Sequence, residues 1–370
     1  MQNMAYKYRI YPTESQICFF AKSFGCCRFI WNTMLNDKQA YYREHKKTLK
    51  NTPAQYKETY PWLKEVDSLA LANVQLQLET AFKNFFERPN MGYPKFKVKH
   101  KGKNSYTTNN QNGTVTVGDD WISLPKIGKI RAVIHRKPEE QWKLKSATVS
   151  RSTDGNYWCS VLYEYEAETG KISVRKTLGL DYKSDGLYMD SEGNSADMPK
   201  YYRISEKKLA RAQRRLSKKQ NGSRNREKAK HRIAVISRHV QNQRADFLHK
   251  TSHQLAEDYD LICIEDLNMA SMKRSLHLGK ATSDNGWGMF TRMLDYKLLY
   301  RGKSLIKVDR MYPSSQLCQC GYQNPITKDL SVRTVTCPKC GRVYDRDCNA
   351  AINVKKEGYR LYQLSLSEAV

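Results

Sequence analysis

The sequence predicts an α+β protein of several domains, and three observations support this fold class. The chain has 370 residues, more than one domain usually holds, so more than one hydrophobic core is expected. Segments with helical periodicity and segments with strand-like alternation follow one another along the chain. Two close pairs of cysteines interrupt its last quarter. We therefore predict a β domain with an inserted helical bundle, and then an α/β domain with a cysteine-rich insertion.

The chain begins with a strand pattern that leads into a helix pattern. Residues 4–11 alternate like a strand, and Thr13 after a proline is typical of a helix start. Apolar residues then recur at three- and four-residue steps through residues 17–34 and again through residues 69–86. These segments predict a small helical unit.

The next part of the chain is rich in strand formers. Short β-rich runs between residues 92 and 166 are separated by Gly, Asn and Asp, which predicts an antiparallel barrel or sandwich. Because the chain also begins with a strand, we assign residues 1–12 and 89–170 to one β domain and residues 13–88 to a helical insertion.

The remaining pattern is strand, hairpin, long helices, strand, helix, strand, cysteine module and helix. This order predicts an α/β domain with a mixed sheet. We assign residues 171–310 and 341–370 to this domain and residues 311–340 to the cysteine module.

The charge of the chain predicts a polyanionic partner. There are 64 Lys and Arg against 37 Asp and Glu, a formal charge of +27, and phosphate contacts supply most non-specific nucleic-acid affinity. Residues 203–250 hold sixteen basic and three acidic residues and predict a helical hairpin that turns near residues 221–223. A solvated helix face is the alternative. The basic candidates for nucleic-acid contact, including two from the tract 95–103, are Lys207, Lys208, Arg211, Arg214, Arg215, Lys218, Lys219, Arg224, Lys95 and Lys97.

Three acidic residues stand at the ends of predicted elements. Asp181 ends the apolar run 177–180, Glu265 follows a β-run, and Asp347 precedes an Ala/Ile/Val helix pattern. A carboxylate on a buried strand is costly unless it binds a cation. In this order the acids can converge in an RNase H-like fold and hold two Mg²⁺ or Mn²⁺ ions for phosphodiester hydrolysis. Three nearby acids are local competitors, to which we give structural roles or roles in supporting the metal ligands: Asp185, Asp266 and Asp345.

The cysteines predict a structural zinc site rather than disulfides. Cys337 and Cys340 form the usual C-x-x-C knuckle, in which a following glycine lets backbone amides turn toward the thiolates. Cys318 and Cys320 are one residue closer, so the alternative is an empty or degenerate knuckle. The cysteines expected to be inert core residues are Cys18, Cys26, Cys27 and Cys263.

Several function classes lack support in the sequence. There is no phosphate-binding loop, nucleophile elbow or dinucleotide fingerprint. No stretch of eighteen uncharged apolar residues occurs, and the first eleven residues lack an apolar signal-peptide core. We therefore expect an unexported protein without membrane association, and the metal-ligand spacing of the cysteines indicates the reducing environment of the cytoplasm.

Eight segments together resemble the TnpB family, the transposon-encoded relatives of type V CRISPR effectors, over nearly the whole chain. They are 6–12 (YKYRIYP), 24–32 (FGCCRFIWN), 94–97 (PKFK), 179–182 (GLDY), 264–268 (IEDLN), 312–316 (YPSSQ), 337–341 (CPKCG) and 345–351 (DRDCNAA). The resemblance implies a wedge β domain with a recognition helix bundle, and a RuvC nuclease domain with a zinc-finger insertion. It also places the catalytic acids at Asp181, Glu265 and Asp347. The family usually has C-x-x-C where this chain has Cys318-Gln-Cys320.

The resemblance implies an RNA-guided DNA endonuclease. A guide RNA from the transposon end would pair with one strand of a double-stranded target, while the protein holds backbones, stabilises single-stranded DNA and reads a short flanking motif. Asn73 and Gln77 are our candidates for reading that motif. The alternatives are an RNA-guided DNA-binding repressor without cleavage and an accessory transposase; the sequence predicts no oligomeric state.

Overall fold

A computed structural model shows an α+β chain with two compact units, Met1–Glu166 and Ala167–Val370. The structure describes residues 1–99, 104–166, 173–269, 271–272, 284–329 and 331–367. The last part of the basic tract 95–103 and the predicted domain boundary at residue 170 lie outside these ranges. Within them, no helix combines the length and the apolar composition that a membrane span requires.

A seven-stranded antiparallel sheet forms the first unit, in the order β2-β6-β7-β1-β5-β4-β3. Its strands are β1 (Gln2–Tyr11), β2 (Asn104–Asn109), β3 (Thr116–Val117), β4 (Trp121–Leu124), β5 (Gly128–Val133), β6 (Lys143–Arg151) and β7 (Tyr157–Tyr165). The outer strands β2 and β3 do not pair with each other in the described part of this unit, so the sheet is an open half-barrel. The antiparallel barrel or sandwich predicted from sequence is confirmed as an antiparallel half-barrel sheet, since alternation reveals strands but not whether their edges meet.

Helices from the segment between β1 and β2 pack on this sheet. They are α1 (Glu14–His45), α2 (Tyr56–Thr59) and α3 (Ser68–Glu87), with a 3₁₀ turn at Pro61–Glu65. Thr13 begins α1 with a capping box, as its position after a proline predicted. Phe20 stacks on Tyr157 of the sheet at a ring distance of 5.7 Å. Ile17, which the periodicity placed on the buried face, and Cys18, expected to be an inert core residue, are both exposed, because in this part of α1 it is Phe20 that turns toward the sheet.

A five-stranded mixed sheet forms the centre of the second unit, as predicted, in the order β10-β9-β8-β11-β12. Its strands are β8 (Thr177–Tyr182), β9 (Tyr188–Asp190), β10 (Ser195–Ala196), β11 (Leu261–Glu265) and β12 (Ser304–Val308). Strand β11 is parallel to both of its neighbours, and β9 is antiparallel to β8. The carboxyl ends of β8, β11 and β12 therefore lie at one edge of the sheet.

The helices of the second unit cover both faces of this sheet. They are α4 (Tyr201–Ser217), α5 (Arg224–Asp258), α6 (Trp287–Tyr300) and α7 (Arg346–Ser367). Leu180 and Ile264 share one hydrophobic cluster with residues of α5 and α6, whereas Cys263 packs with Val354 of α7. The segment between β12 and α7 includes the cysteine module, and it contains a 3₁₀ turn at Pro325–Lys328 and the hairpin β13 (Thr334–Thr336) and β14 (Val343–Asp345).

Candidate functional site

Asp181 and Glu265 lie at adjoining positions on neighbouring parallel strands. Leu180 of β8 is opposite Ile264 of β11, so an acid follows on each strand. Neighbouring strands are about 4.8 Å apart. Side chains alternate between the faces of a sheet, and Leu180 and Ile264 face α5 and α6. Both acids therefore face α7, the same side as Cys263.

Helix α7 crosses this face at very close range. A Cβ atom on Gly179 would overlap the carbonyl oxygen of Ala351 and would lie 2.7 Å from the backbone nitrogen of Lys355. Gly179 precedes Asp181 by two residues, and Ala351 follows Asp347 by one helical turn. The glycine thus permits an approach that brings the first turn of α7 to the end of β8.

The charges of Glu265 and Asp347 act on Asp181. Burial raises the pKa of Asp181 well above its usual range, and the charges of Glu265 and Asp347 raise it further, while Arg346 opposes them. Burial also raises the pKa of Glu265, against a hydrogen bond from the Ser314 hydroxyl. The structure therefore brings together the three acids singled out from the sequence, at a cost that a bound cation would remove.

Two arginines hold Asp347 in place. Arg346 Nη2 lies 2.9 Å from Asp347 Oδ1, and Arg333 Nη1 lies 2.7 Å from Asp347 Oδ2. The backbone N–H of Arg346 also donates to the carbonyl of Arg333 at 2.8 Å. Sequence reasoning missed both arginines and Ser314. The position of Arg346 between two acids could have indicated its role, but no local sequence pattern indicates a contact of Arg333 or Ser314 with the acids.

The acid closest in sequence to Asp347 has a structural role. Asp345 Oδ1 accepts a hydrogen bond of 2.8 Å from the backbone N–H of Cys348, the third residue of α7. It therefore acts as an N-cap, as its assignment to a structural role predicted. Asp185 and Asp266 are exposed.

The four module cysteines converge on one point. The Sγ atoms of Cys318, Cys320, Cys337 and Cys340 lie within 4.8 Å of one another and could hold a metal ion. The Cys318–Cys340 and Cys320–Cys337 Sγ distances are both 3.7 Å. Tetrahedral zinc with Zn–S bonds of about 2.3 Å places its sulfur ligands about 3.8 Å apart. The short first pair therefore reaches a geometry that suits such an ion.

Backbone amides turn toward the second knuckle. Burial of Cys337 opposes its ionisation, but hydrogen bonds from the backbone N–H groups of Cys340 and Lys339, together with those of the Cys318 and Cys340 thiols, lower its pKa to about 7. Gly341 follows this knuckle with φ of +70°, and Gly321 follows the first pair with φ of +84°. Glycine tolerates this conformation, so both turns can close around the sulfur atoms.

The carboxylate oxygens of Asp181, Glu265 and Asp347 form a less compact group than the four cysteine sulfur atoms. No second group of three or more possible metal ligands occurs in the part of the chain that the structure describes. Like charges repel. In addition, Arg333 and Ser314 hold Asp347 and Glu265 by hydrogen bonds.

The basic hairpin has the predicted form. Helix α4 ends at Ser217 and α5 begins at Arg224, with Ser223 as its N-cap. The eight basic candidates on it are all exposed, and no carboxylate within the described ranges forms an ion pair with any of them. They are Lys207, Lys208, Arg211, Arg214, Arg215, Lys218, Lys219 and Arg224.

The other nucleic-acid candidates lie in the first unit and differ in accessibility. Lys95 and Lys97 are both exposed, but Lys97 Nζ lies 3.7 Å from the centre of the Trp31 ring, and partial burial lowers the pKa of Lys97. Gln77 is exposed beside a cleft of about 320 Å³. Asn73 is only 8% exposed and donates to its own helix at Leu69 O, so a role in reading DNA does not fit its position. Its polar character had suggested an exposed face.

Three family models match parts of the chain. Residues 160–276 match a family described as "Probable transposase", residues 287–354 match "Cas12f1-like, TNB domain", and residues 1–47 match "Helix-turn-helix domain". In this chain residues 1–47 form β1 and the single long helix α1.

Proteins of known sequence and structure are similar over most of the chain. A Streptomyces pristinaespiralis protein named "Putative RNA-guided DNA endonuclease" is 34% identical over 96% of this chain and 89% of its own length. An Escherichia coli K12 protein named "Putative RNA-guided DNA endonuclease InsQ" is 29% identical over 96% and 92%. A chain in the "Cryo-EM structure of the Cas12f1-sgRNA-target DNA complex" covers 92% of this chain and 82% of its own, with a TM-score of 0.62 and 13% identity, which shows a likeness of fold alone.

Proposed function

Because this chain belongs to the TnpB family, we propose that it is an RNA-guided endonuclease that cleaves DNA by metal-dependent hydrolysis. The observation that carries the proposal is the meeting of Asp181 and Glu265, at the ends of neighbouring parallel strands, with Asp347 in the first turn of α7. Relatives that align over nearly their whole length bear the name of such an enzyme.

The second unit is, in this proposal, an RNase H-like (RuvC) nuclease domain of residues 171–310 and 341–370. Its mixed sheet and the helices on both faces support this assignment. Residues 311–340 form a zinc-ribbon-like insertion. Residues 1–12 and 89–170 form the wedge domain, and residues 13–88 form the recognition insertion.

The three carboxylates would hold two Mg²⁺ or Mn²⁺ ions. Their oxygen donors suit hard cations, and the raised pKa values of Asp181 and Glu265 mark a place where positive charge is favourable. When bound, such ions would supply activation of an attacking water and stabilisation of the leaving oxygen of a phosphodiester. The protein orients the ligands: Ser314 holds Glu265, and the two arginines hold Asp347.

The four cysteines would hold a structural zinc ion. Their sulfur spacing suits tetrahedral coordination, and four protein ligands leave no open position for a catalytic water. The zinc would fix the module whose Ser314 and Arg333 contact the acids.

Guide RNA and target DNA are the proposed partners. The exposed basic side chains of α4 and α5 offer phosphate contacts without regard to sequence, and base pairing would supply the specificity. The guide would come from the transposon end, and the enzyme would act at the nucleoid in the prokaryotic cytosol.

The decisive experiment uses the protein with its co-purifying RNA and a plasmid that carries a sequence matching that RNA. We expect a linear product that requires Mg²⁺ or Mn²⁺. Binding without cutting would indicate the repressor instead, and insertion of DNA would indicate a transposase. Sequencing the co-purified RNA defines the matched plasmid, and a plasmid with a scrambled target is the control.

A further inference from the structure

Helix α7 is packed between the sheet and the cysteine module. Ala351 and Gly358 lie against the sheet, whereas Asn349 and Asn353 lie on the opposite side of the helix. Both asparagines are nearly inaccessible, with 2% and 4% of their surface exposed. Buried amides are costly unless their donors and acceptors are paired, so the partners of these two residues are informative.

The asparagine amides bind the chain just before the first cysteine pair. Asn353 Nδ2 donates to the carbonyls of Ser314 and Leu317, at 2.7 and 2.6 Å. Asn349 Nδ2 donates to the same carbonyl of Leu317 at 2.7 Å. Leu317 directly precedes Cys318, so these bonds fix the entry to the metal knuckle.

Gln319, the residue between the two cysteines of the short pair, completes the network. Its Nε2 donates to Oδ1 of Asn349 at 3.0 Å and to Oδ1 of Asn353 at 2.9 Å. Lys356 Nζ donates to its Oε1. Backbone carbonyls only accept and an ammonium only donates, so these partners fix the orientation of all three amides.

The same turn reaches the acid site. Ser314 accepts from Asn353 through its backbone carbonyl and donates to Glu265 through its hydroxyl. Its side chain lies among buried residues, with 5% of its surface exposed. The path from the cysteines to a proposed metal-binding carboxylate therefore consists of Gln319, the two asparagines and Ser314.

We propose that Gln319, Asn349 and Asn353 form a positioning clamp, through which metal held by the four cysteines keeps Ser314 against Glu265 and so orders the acid site for divalent cations. The clamp uses the side chain of the one residue that separates the two cysteines, where the family usually has two residues. The inference rests on the proposed function, because it assumes that the acids bind a divalent cation.

The test substitutes Gln319→Glu, which keeps the size of the side chain but replaces both Nε2 donors by an acceptor that faces two other acceptors. Partners that orient metal ligands contribute about 10- to 100-fold to metal affinity. We expect Mn²⁺ binding at the acids, measured by electron paramagnetic resonance on the full chain without RNA, to weaken about tenfold. We also expect zinc to remain bound at one ion per chain but to pass faster to a colorimetric chelator.

The matched control is Gln323→Glu, in the same module but outside the clamp. Gln323 is exposed and donates only to Gln316 Oε1 among the hydrogen bonds of the described chain. This variant should leave Mn²⁺ affinity and zinc release unchanged. In cleavage assays Gln319→Glu should raise the half-saturating Mn²⁺ concentration and leave the rate at saturating Mn²⁺ within about twofold, because the catalytic carboxylates themselves remain.

Unchanged Mn²⁺ affinity in Gln319→Glu overturns the clamp, and weaker Mn²⁺ binding with unchanged zinc release overturns its link to the cysteines. If Gln319→Glu fails to fold, Asn349→Asp, which loses its donor to Leu317, should shift both measurements in the same direction. The Mn²⁺ that wild-type protein binds and Asp181→Asn does not is the Mn²⁺ bound at the acids. If wild-type protein binds no more Mn²⁺ than Asp181→Asn, the proposed acid site itself is refuted, which is an outcome distinct from failure of the clamp.

Discussion

At the scale of single residues, Asp181 sits where its own charge is unfavourable. Burial raises its pKa, and two further carboxylates add to the effect. A raised carboxyl pKa means that the folded state holds the proton more tightly than the unfolded state. Its contribution to stability therefore decreases as the pH rises above the ordinary carboxyl range. A residue that costs stability in this way is a candidate for function.

The first prediction is that Asp181→Asn stabilises the metal-free protein near neutral pH. The neutral amide removes the repulsion, and the gain should be about 1 kcal/mol or more. This gain should shrink as the pH falls toward about 4 and vanish below about pH 3, where the carboxyl is protonated in both the folded and the unfolded state. Thermal unfolding with and without Mg²⁺ measures this: Mg²⁺ should raise the midpoint of the wild type but not of the variant. Asp185→Asn, at an exposed position, should behave as wild type; a destabilised Asp181→Asn would contradict the argument.

The second prediction is that Asp181→Ala abolishes DNA cleavage but leaves RNA binding intact. The acid would serve the metal rather than phosphate contacts, and loss of metal catalysis is worth several kcal/mol, so the rate should fall at least about a thousandfold. Plasmid cleavage and filter binding of the guide RNA measure the two properties. Asp185→Ala should cut normally. Equal cutting by Asp181→Ala would refute the catalytic assignment.

The sequence singles out the three acids because each stands at the boundary of a recognisable element. An apolar run that is followed directly by a carboxylate can be recognised in the local sequence, and so can an acid that precedes an Ala-rich helix. Ser314 was not predictable, because it meets Glu265 only through the fold, 49 residues further along the chain. Asn73 was misplaced for the converse reason: a polar residue inside an amphipathic helix can satisfy its amide within the helix itself.

At the scale of elements, the packing of α7 on β8 determines where Asp347 lies. Gly179 lets the helix backbone approach the strand so closely that no side chain fits between them. A shift of the helix would move Asp347 away from Asp181. Close backbone approach is a common reason for glycine inside a strand.

The third prediction is that Gly179→Ala destabilises the protein by about 1–3 kcal/mol, because the new methyl group overlaps backbone atoms that cannot rotate away. Its thermal midpoint should fall by several degrees. Gly288→Ala in α6 is the matched control. A Cβ at Gly288 meets nothing within 4 Å, so this change should be neutral or slightly stabilising. Equal midpoints for the two variants would show that α7 can move without cost.

The fourth prediction concerns the basic hairpin. Replacing Lys218, Lys219 and Arg224 by Gln should lower the slope of log affinity against log salt by about 2 to 3, since each phosphate contact contributes about 0.7 to 0.9. The control replaces three lysines that already pair with carboxylates and so loses the same charge at dispersed places. They are Lys22, Lys83 and Lys137. A smaller slope in the control alone would identify the hairpin as merely solvated surface.

At the scale of the whole chain, local patterns predicted both types of sheet but not the arrangement of the first. The mixed sheet follows from β-runs separated by long helices, which require parallel crossovers. The seven-stranded sheet depends on the pairing of β1 with β7 and β5, far apart in sequence. Alternation assigns a face to each residue but does not choose the neighbouring strand, so the open half-barrel could not be distinguished from a closed barrel.

The fifth prediction follows from the excess of positive charge. The RNA-free chain repels itself at +27, and salt screens that repulsion. Raising NaCl from about 0.1 M to about 0.5 M should therefore raise the thermal midpoint of the RNA-free protein. Bound RNA stabilises the folded state by mass action, but the affinity of the protein for RNA falls with salt. The rise in thermal midpoint that RNA causes should therefore become smaller over the same range of NaCl.

Scanning calorimetry before and after nuclease treatment separates these two effects. The variant with Gln at Lys218, Lys219 and Arg224 carries three fewer positive charges and should show a weaker dependence on salt in both states. An RNA-free midpoint that falls with salt would mean that attractive ion pairs outweigh the repulsion. The basic residues would then stabilise the fold itself rather than await a polyanion.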